Sequence, residues 1–145
     1  MKKTDPPIVV EAHFENGAET LWKALTSYSE MKKWYFEVLK DFQPEVGFKT
    51  AFSLSSENRM FTHQWEVIEV IPEKKITYSW RFLEYPGAST SCFEVIGNQN
   101  SSWLKLTILV QEDFPAGIPE FKRESCIGGW DYFIHGNLKK YMSDV

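Results

Sequence analysis

Few side chains in this sequence are of the kind that do acid–base or covalent chemistry, and their spacing decides what they could do. The stretch "FTHQWEVIEV" (61–70) holds His63, Glu66 and Glu69. An imidazole titrates near neutrality, so His63 is the natural general acid or base, or a polar cavity residue that hydrogen-bonds a ligand. The plainer reading is a partly exposed strand histidine. On a regular strand Glu66 and Glu69 face opposite sides, which rules out a carboxylate pair. Arg81 alternates with Tyr78, Trp80 and Phe82 out of phase, which suits a cross-strand ion pair better than substrate binding. His13 falls on the wet face of its strand, and His135 lies one step off the apolar stripe of a C-terminal helix. No histidine has a Ser, Cys or Asp at triad-like spacing, so no catalytic residue is assigned. Cys92 and Cys126 are lone cysteines, without zinc-ligand spacing or a disulfide framework. Cys126 reads as a small buried hydrophobe. No phosphate-binding glycine loop, HExxH or calcium loop occurs, and no cofactor or metal is implied.

What the sequence does have is rings: six Trp, six Tyr and eleven Phe, 16% of the chain. Tyr78, Trp80 and Phe82 share one face of a strand. Phe93 lies on the next strand, Leu106 and Ile108 on the last, and Trp130, Phe133 and Ile134 on the terminal helix. Stiff rings can wall a cavity for a small apolar or aromatic molecule, with Trp34 and Tyr35 at its mouth. They can equally fill the same volume as an aromatic core. Both readings remain open at this level.

The elements that would position these residues follow from hydrophobic period. "IVVEAHF" (8–14) alternates as a strand, and "NGAETLWKALTSYSEMKKWYF" (16–36) switches to helical period. Asn16 is placed to cap that helix, with Glu19 in its first turn. A break at Tyr28 and Ser29 divides it into two short helices, the second anchored by Met31, Trp34 and Tyr35. Strand pattern runs through 46–55, through 61–71 and 76–82 as one hairpin, and through 89–97 and 101–111 as another. Leu104, Leu106, Ile108 and Val110 alternate with Trp103, Lys105, Thr107 and Leu109, so one face is buried and the other wet. The phase of "QWEVIEV" is muddled, and its faces stay unassigned. The loop "FPAGIPE" (114–120) leads into a terminal helix reaching about Ser143, with a stripe of Phe121, Ile127, Trp130, Ile134, Leu138 and Tyr141. That stripe must lie on the apolar face of the sheet, an α+β layer arrangement.

At 145 residues the chain, 1–145, reads as one domain. Its net charge of −4 and lack of any long basic run argue against nucleic acid as a partner. No stretch approaches the about 18 apolar residues of a membrane span, and no signal-peptide core follows the N-terminus, so a reduced cytoplasmic protein is the default expectation.

Three stretches carry a family resemblance. "TLWKALTSYSEMKKWYF", "VIEVIPEKKITYSW" (67–80) and "GGWDYFIHGNLKKYM" (128–142) occur in the order in which similar motifs occur in homologues of the activator of the heat-shock-protein-90 ATPase. The chain thus resembles the START-like, or SRPBCC, helix-grip superfamily. The resemblance implies a curved antiparallel sheet wrapped around a long C-terminal helix, with two short helices between the first and second strands. It also implies a space between sheet and helix, with Gly128 and Gly129 letting the helix bend or approach the sheet and turning Trp130 inward. Three functions follow as expectations. The first is non-catalytic binding of a small apolar ligand. The second is an interaction module that binds a chaperone or another protein, and the third a cyclase- or hydrolase-like enzyme using His63 or a glutamate.

Overall fold

Period-two alternation needs one dry face, and a single sheet supplies it. The computed structural model describes all 145 residues. Strands β1 (Ile8–Phe14), β2 (Lys49–Ser56), β3 (Arg59–Ile71), β4 (Lys75–Phe82), β5 (Tyr85–Gly97) and β6 (Ser102–Glu112) form one antiparallel sheet in the order β1-β6-β5-β4-β3-β2. Ile76 and Tyr78 of β4, Phe93 and Val95 of β5, and Leu104, Leu106 and Ile108 of β6 are buried on the concave face. Trp103 and Leu109 are exposed on the other. β5 starts at Tyr85, four residues before the expected 89, because β4 turns into it through Leu83 and Glu84 as one meander. Gly87 makes this join possible: its φ of +116° is costly for other residues, and a Cβ there would overlap the Phe114 ring.

The muddled phase of β3 has a physical cause. Val67 pairs with Tyr78 and Glu69 with Thr77, leaving Ile68 as the extra residue of a bulge. Phe61, His63, Trp65 and Val67 therefore share the concave face, and the alternation restarts beyond Ile68. The bulge also corrects the expectation for the two glutamates. Glu66 opposite Ser79 and Glu69 opposite Thr77 both lie on the convex side, where Glu69 pairs with Lys75 at 3.2 Å.

Two short helices, α1 (Ala18–Thr26) and α2 (Tyr28–Trp34), follow β1. The chain breaks at Ser27 (φ −83°, ψ 122°), one residue before the expected position. Gly17, not Asn16, caps α1, and a Cβ on Gly17 would collide with the Gln99 carbonyl. The first free amide, at Ala18, instead donates to the Asn98 carbonyl in the β5–β6 turn (2.8 Å). The Asn16 side chain reaches the other way and donates to the Met142 carbonyl at 3.1 Å. Trp34 joins the helices by donating its indole N–H to the Ala24 carbonyl at 2.8 Å.

After a short turn at Pro119–Phe121, the terminal helix runs as α3 (Arg123–Asp131), a π-helical stretch at Tyr132–Leu138, and α4 (Lys139–Ser143). Trp130, Ile134, Leu138 and Met142 face the sheet at intervals of four. That spacing drifts around an α-helix of about 3.6 residues per turn. The wider turns of the π stretch, bonded i to i+5, keep the later residues aimed at the sheet. Continuing the same spacing backwards makes Cys126 the inward residue. Ile127, expected in the stripe, is exposed, and Phe121 lies before the helix in a separate cluster with Phe61 and Phe114. Gly128, Gly129 and Gly136 are on the solvent side, with no atom within 4 Å of where a Cβ would sit. They do not bring the helix closer to the sheet, because the sheet lies on the opposite face.

Candidate functional site

The register across the sheet leaves a gap at one end. Tyr78 of β4 is level with Ser91 of β5 and, beyond it, Ile108 of β6. The neighbouring row runs from Trp65 through Trp80 to Ser89. Where Phe93 and Val95 fill the concave face further along β5, Ser89 and Ser91 are too small to reach the helix. The result is a cavity of about 110 Å³. Its sheet wall is Trp80, Phe82, Ser89, Ser91 and Ile108, and its helix wall is Cys126 and Trp130. Phe114, Phe121, Glu120 and Met1 close the end.

The polar atoms around this cavity are unequal. Ser91 is 1% exposed, and its hydroxyl has no hydrogen-bond partner. Glu120 is fully engaged: Arg59 donates to both carboxylate oxygens (3.0 and 2.9 Å) and Ser56 donates at 2.8 Å. The Arg59 guanidinium holds this carboxyl down at about 2, so it is ionised at any working pH. Burial pushes the Cys126 thiol up to about 11, so it is a thiol and no nucleophile.

The rest of the aromatic set fills space. Tyr35 stacks on Trp34 at 4.6 Å with the rings 2° apart, and packs against Trp65, Trp130 and Phe133. Its hydroxyl meets that of Tyr78 at 2.9 Å, and burial drives both phenols well above their ordinary range. Of the residues expected around a ligand, Trp80, Phe82, Ile108 and Trp130 line the cavity. Tyr78, Phe93, Leu106, Phe133 and Ile134 belong to the packed core. Trp34 and Tyr35 are buried there too rather than placed at a mouth.

His63 points inward, stacked on Phe52 at 4.8 Å, but is outside the cavity lining. Its Nδ1 accepts the indole N–H of Trp80 at 3.0 Å, which assigns the proton of the neutral ring to Nε2. Burial lowers its pKa to about 4. A histidine with its lone pair engaged and so low a proton affinity is a poor general base at neutral pH. His135, on the solvent side of the helix, bonds Asp131 (2.7 Å) and the Glu11 carbonyl (2.9 Å), and these acceptors raise its pKa. Arg81 pairs across β5 with Glu112 at 2.9 Å, as its phase predicts.

Ser89, Ser91, Phe114, Glu120 and Met1 line the cavity without having been expected there, and Phe121 and Cys126, expected as a helix-stripe residue and a small buried hydrophobe, line it too. One signal for the first two was present: serines stand in "STSCFEV" at the positions in phase with Phe93, where a buried face asks for large apolar residues. No three His, Cys, Asp or Glu side chains converge as a metal site. No helix is long and apolar enough to cross a membrane.

Residues 17–143 match the protein-family model described as "Activator of Hsp90 ATPase homolog 1-like protein". No curated protein matches the chain at a significant level. Several solved structures share the fold. MLL2253 from Mesorhizobium loti is 23% identical with a TM-score of 0.74, over 97% of this chain and 98% of that one. CV1439 from Chromobacterium violaceum is 18% identical with a TM-score of 0.73, over 96% of both chains. DynU16, from the dynemicin biosynthetic locus, is 19% identical with a TM-score of 0.76, over 96% of this chain and 48% of that one. Identities at this level establish the fold and nothing finer. With a six-stranded sheet closed by a terminal helix and a family match spanning almost the whole sequence, the chain belongs to the Activator of Hsp90 ATPase homolog 1-like family and has its α+β helix-grip fold.

Proposed function

We propose that this protein binds a small, mainly apolar molecule in the cavity between its sheet and terminal helix, and does no chemistry on it. The observation that carries this reading is a partly open, ring-lined space in an interior otherwise packed solid with aromatic side chains. Its volume of about 110 Å³ lies below the ~300–1,000 Å³ of drug-sized sites. The ligand is therefore small, or else moves the Met1, Cys126 and Phe114 side chains aside. The engaged lone pair of His63 speaks against a catalytic version of the same site.

Native mass spectrometry of the purified protein, followed by melting-temperature shifts against small apolar and aromatic compounds, tests this. A ligand at a hundred times its Kd stabilises the folded state by about 2.7 kcal/mol. The shift should vanish in Cys126→Leu, whose larger side chain occupies the cavity. A shift that persists unchanged in that variant would place the binding elsewhere and refute the proposal.

A second reading, a docking module for a chaperone of the heat-shock-protein-90 class, has one observation in its favour. Trp103 and Ile96 are directly opposed across β5 and β6 on the convex face, and both are exposed. It predicts that Trp103→Ala abolishes any effect of the protein on that chaperone's ATPase rate while leaving small-molecule binding intact.

A further inference from the structure

Ser91 is where a polar group has been placed without a partner. Its hydroxyl is sealed from solvent on the concave face, level with Tyr78 and Ile108, and forms part of the cavity wall. The Tyr78 hydroxyl one strand away is occupied by Tyr35. A buried hydroxyl without a hydrogen bond is costly, and such groups are rare in native proteins. An alanine in the same place would carry no such cost. The other lining groups narrow what could satisfy it. The Glu120 carboxylate is already saturated by Arg59 and Ser56, and the Met1 ammonium, the lining's own cation, donates to the Phe121 carbonyl at 2.8 Å. A water in the same space would have few of the partners that a buried water normally makes.

We infer that Ser91 is the polar recognition residue of this cavity, and that its ligand is a neutral molecule no larger than one small ring, bearing a single hydroxyl or carbonyl oxygen. The inference rests on the proposed pocket function and specifies its chemistry. Size follows from the volume, since a cavity of about 150 Å³ holds benzene and the flexible Met1 side chain gives this one some slack. Neutrality follows because the charges at the rim already have partners: Glu120 is paired with Arg59 and the Met1 ammonium with the Phe121 carbonyl, so none is left to pair with a carboxylate or phosphate. The single polar atom follows from Ser91 having the one lining hydroxyl that is both fully buried and unpartnered, that of the neighbouring Ser89 being less deeply buried.

Titration of the wild-type protein and Ser91→Ala with phenol, benzene and benzoate, followed by NMR or calorimetry, tests the inference. In a purely apolar cavity phenol binds more weakly than benzene, because its hydroxyl loses water without compensation. With Ser91 as its partner the order reverses, and phenol should bind the wild type about fivefold to tenfold more tightly than benzene. Ser91→Ala should restore the preference for benzene, and benzoate should bind neither protein. Because the substitution removes a hydroxyl that bonds to nothing, the variant should melt no lower than the wild type. Ser91→Cys, nearly the same size with a weak donor, should fall between the two. If benzene binds but phenol ranks below it in the wild type, the role of Ser91 is refuted and the pocket survives. If neither compound binds, both the pocket and the inference fall.

Discussion

Protonating His63 would set two donors against each other. In the folded protein its Nδ1 accepts the Trp80 indole N–H at 3.0 Å, between the Phe52 and Phe82 rings. A second proton on the imidazole must go to that same nitrogen, which breaks the bond and charges a site among aromatic rings. Burial accordingly lowers the pKa from 6.5 to about 4. In the unfolded chain the ring titrates near 6.5, so between those two values the unfolded state binds more protons than the folded one. Stability therefore falls as pH drops through this window and is regained as pH rises. From pH 7 to pH 5 the loss is about 2 kcal/mol, approaching about 3 kcal/mol below pH 4. The assay is urea unfolding followed by tryptophan fluorescence at pH 7, 6 and 5, for the wild type and His63→Gln. Glutamine keeps an acceptor for the indole but cannot be charged, so the variant should lose about 2 kcal/mol less than the wild type over that range. Equal losses in the two proteins, or an NMR titration of His63 with a midpoint above 6, would refute this account.

Gly128→Ala and Gly129→Ala should each stabilise the protein by about 1 kcal/mol in chemical denaturation, because the new methyl meets open space and helix propensity rises. A loss of stability would mean these glycines have a conformational role that the packing does not reveal. Tyr78→Phe should cost about 1–2 kcal/mol by leaving the buried Tyr35 hydroxyl alone, whereas the double change with Tyr35→Phe should cost less than the sum of the two single changes. Glu120→Gln should remove an acid sensitivity that the wild type shows as pH falls from 4.5 towards 2, below the main part of the His63 window. The test is the difference between their acid-unfolding curves, since the paired carboxylate of Glu120 contributes stability only while ionised.

The order of elements, the buried faces of β4 and β6 and the family were legible in the linear sequence because each depends on local period or short motifs. Tyr78 alternating with Ser79, and Leu106 with Lys105, declare their faces wherever the strand is regular. That logic fails at Ile68, where one inserted residue reverses the phase and brings Glu66 and Glu69 to the same side. It also fails on the terminal helix. There the inward residues recur every four positions from Trp130 to Met142 across a π-helical stretch at Tyr132–Leu138, and the same spacing within the preceding α-helix makes Cys126 the inward residue and leaves Ile127 exposed.

The site itself was a matter of register. The phase that Ser89 and Ser91 share with Phe93 places them on the dry face but does not say what they meet there; they become a cavity wall because β5 sets them beside Trp80, Tyr78 and Ile108 under Trp130. The rings show the same division. Their abundance was plain in the composition, but whether they lined a space or filled it depended on contacts between residues far apart in sequence, such as Tyr35 with Tyr78 and Trp130. Local pattern determines which face of an element is dry, because hydrophobic burial follows the period of each element. Only the packed tertiary structure decides where that dry volume is left unfilled, because a cavity depends on the difference in size between neighbours that the chain brings together last.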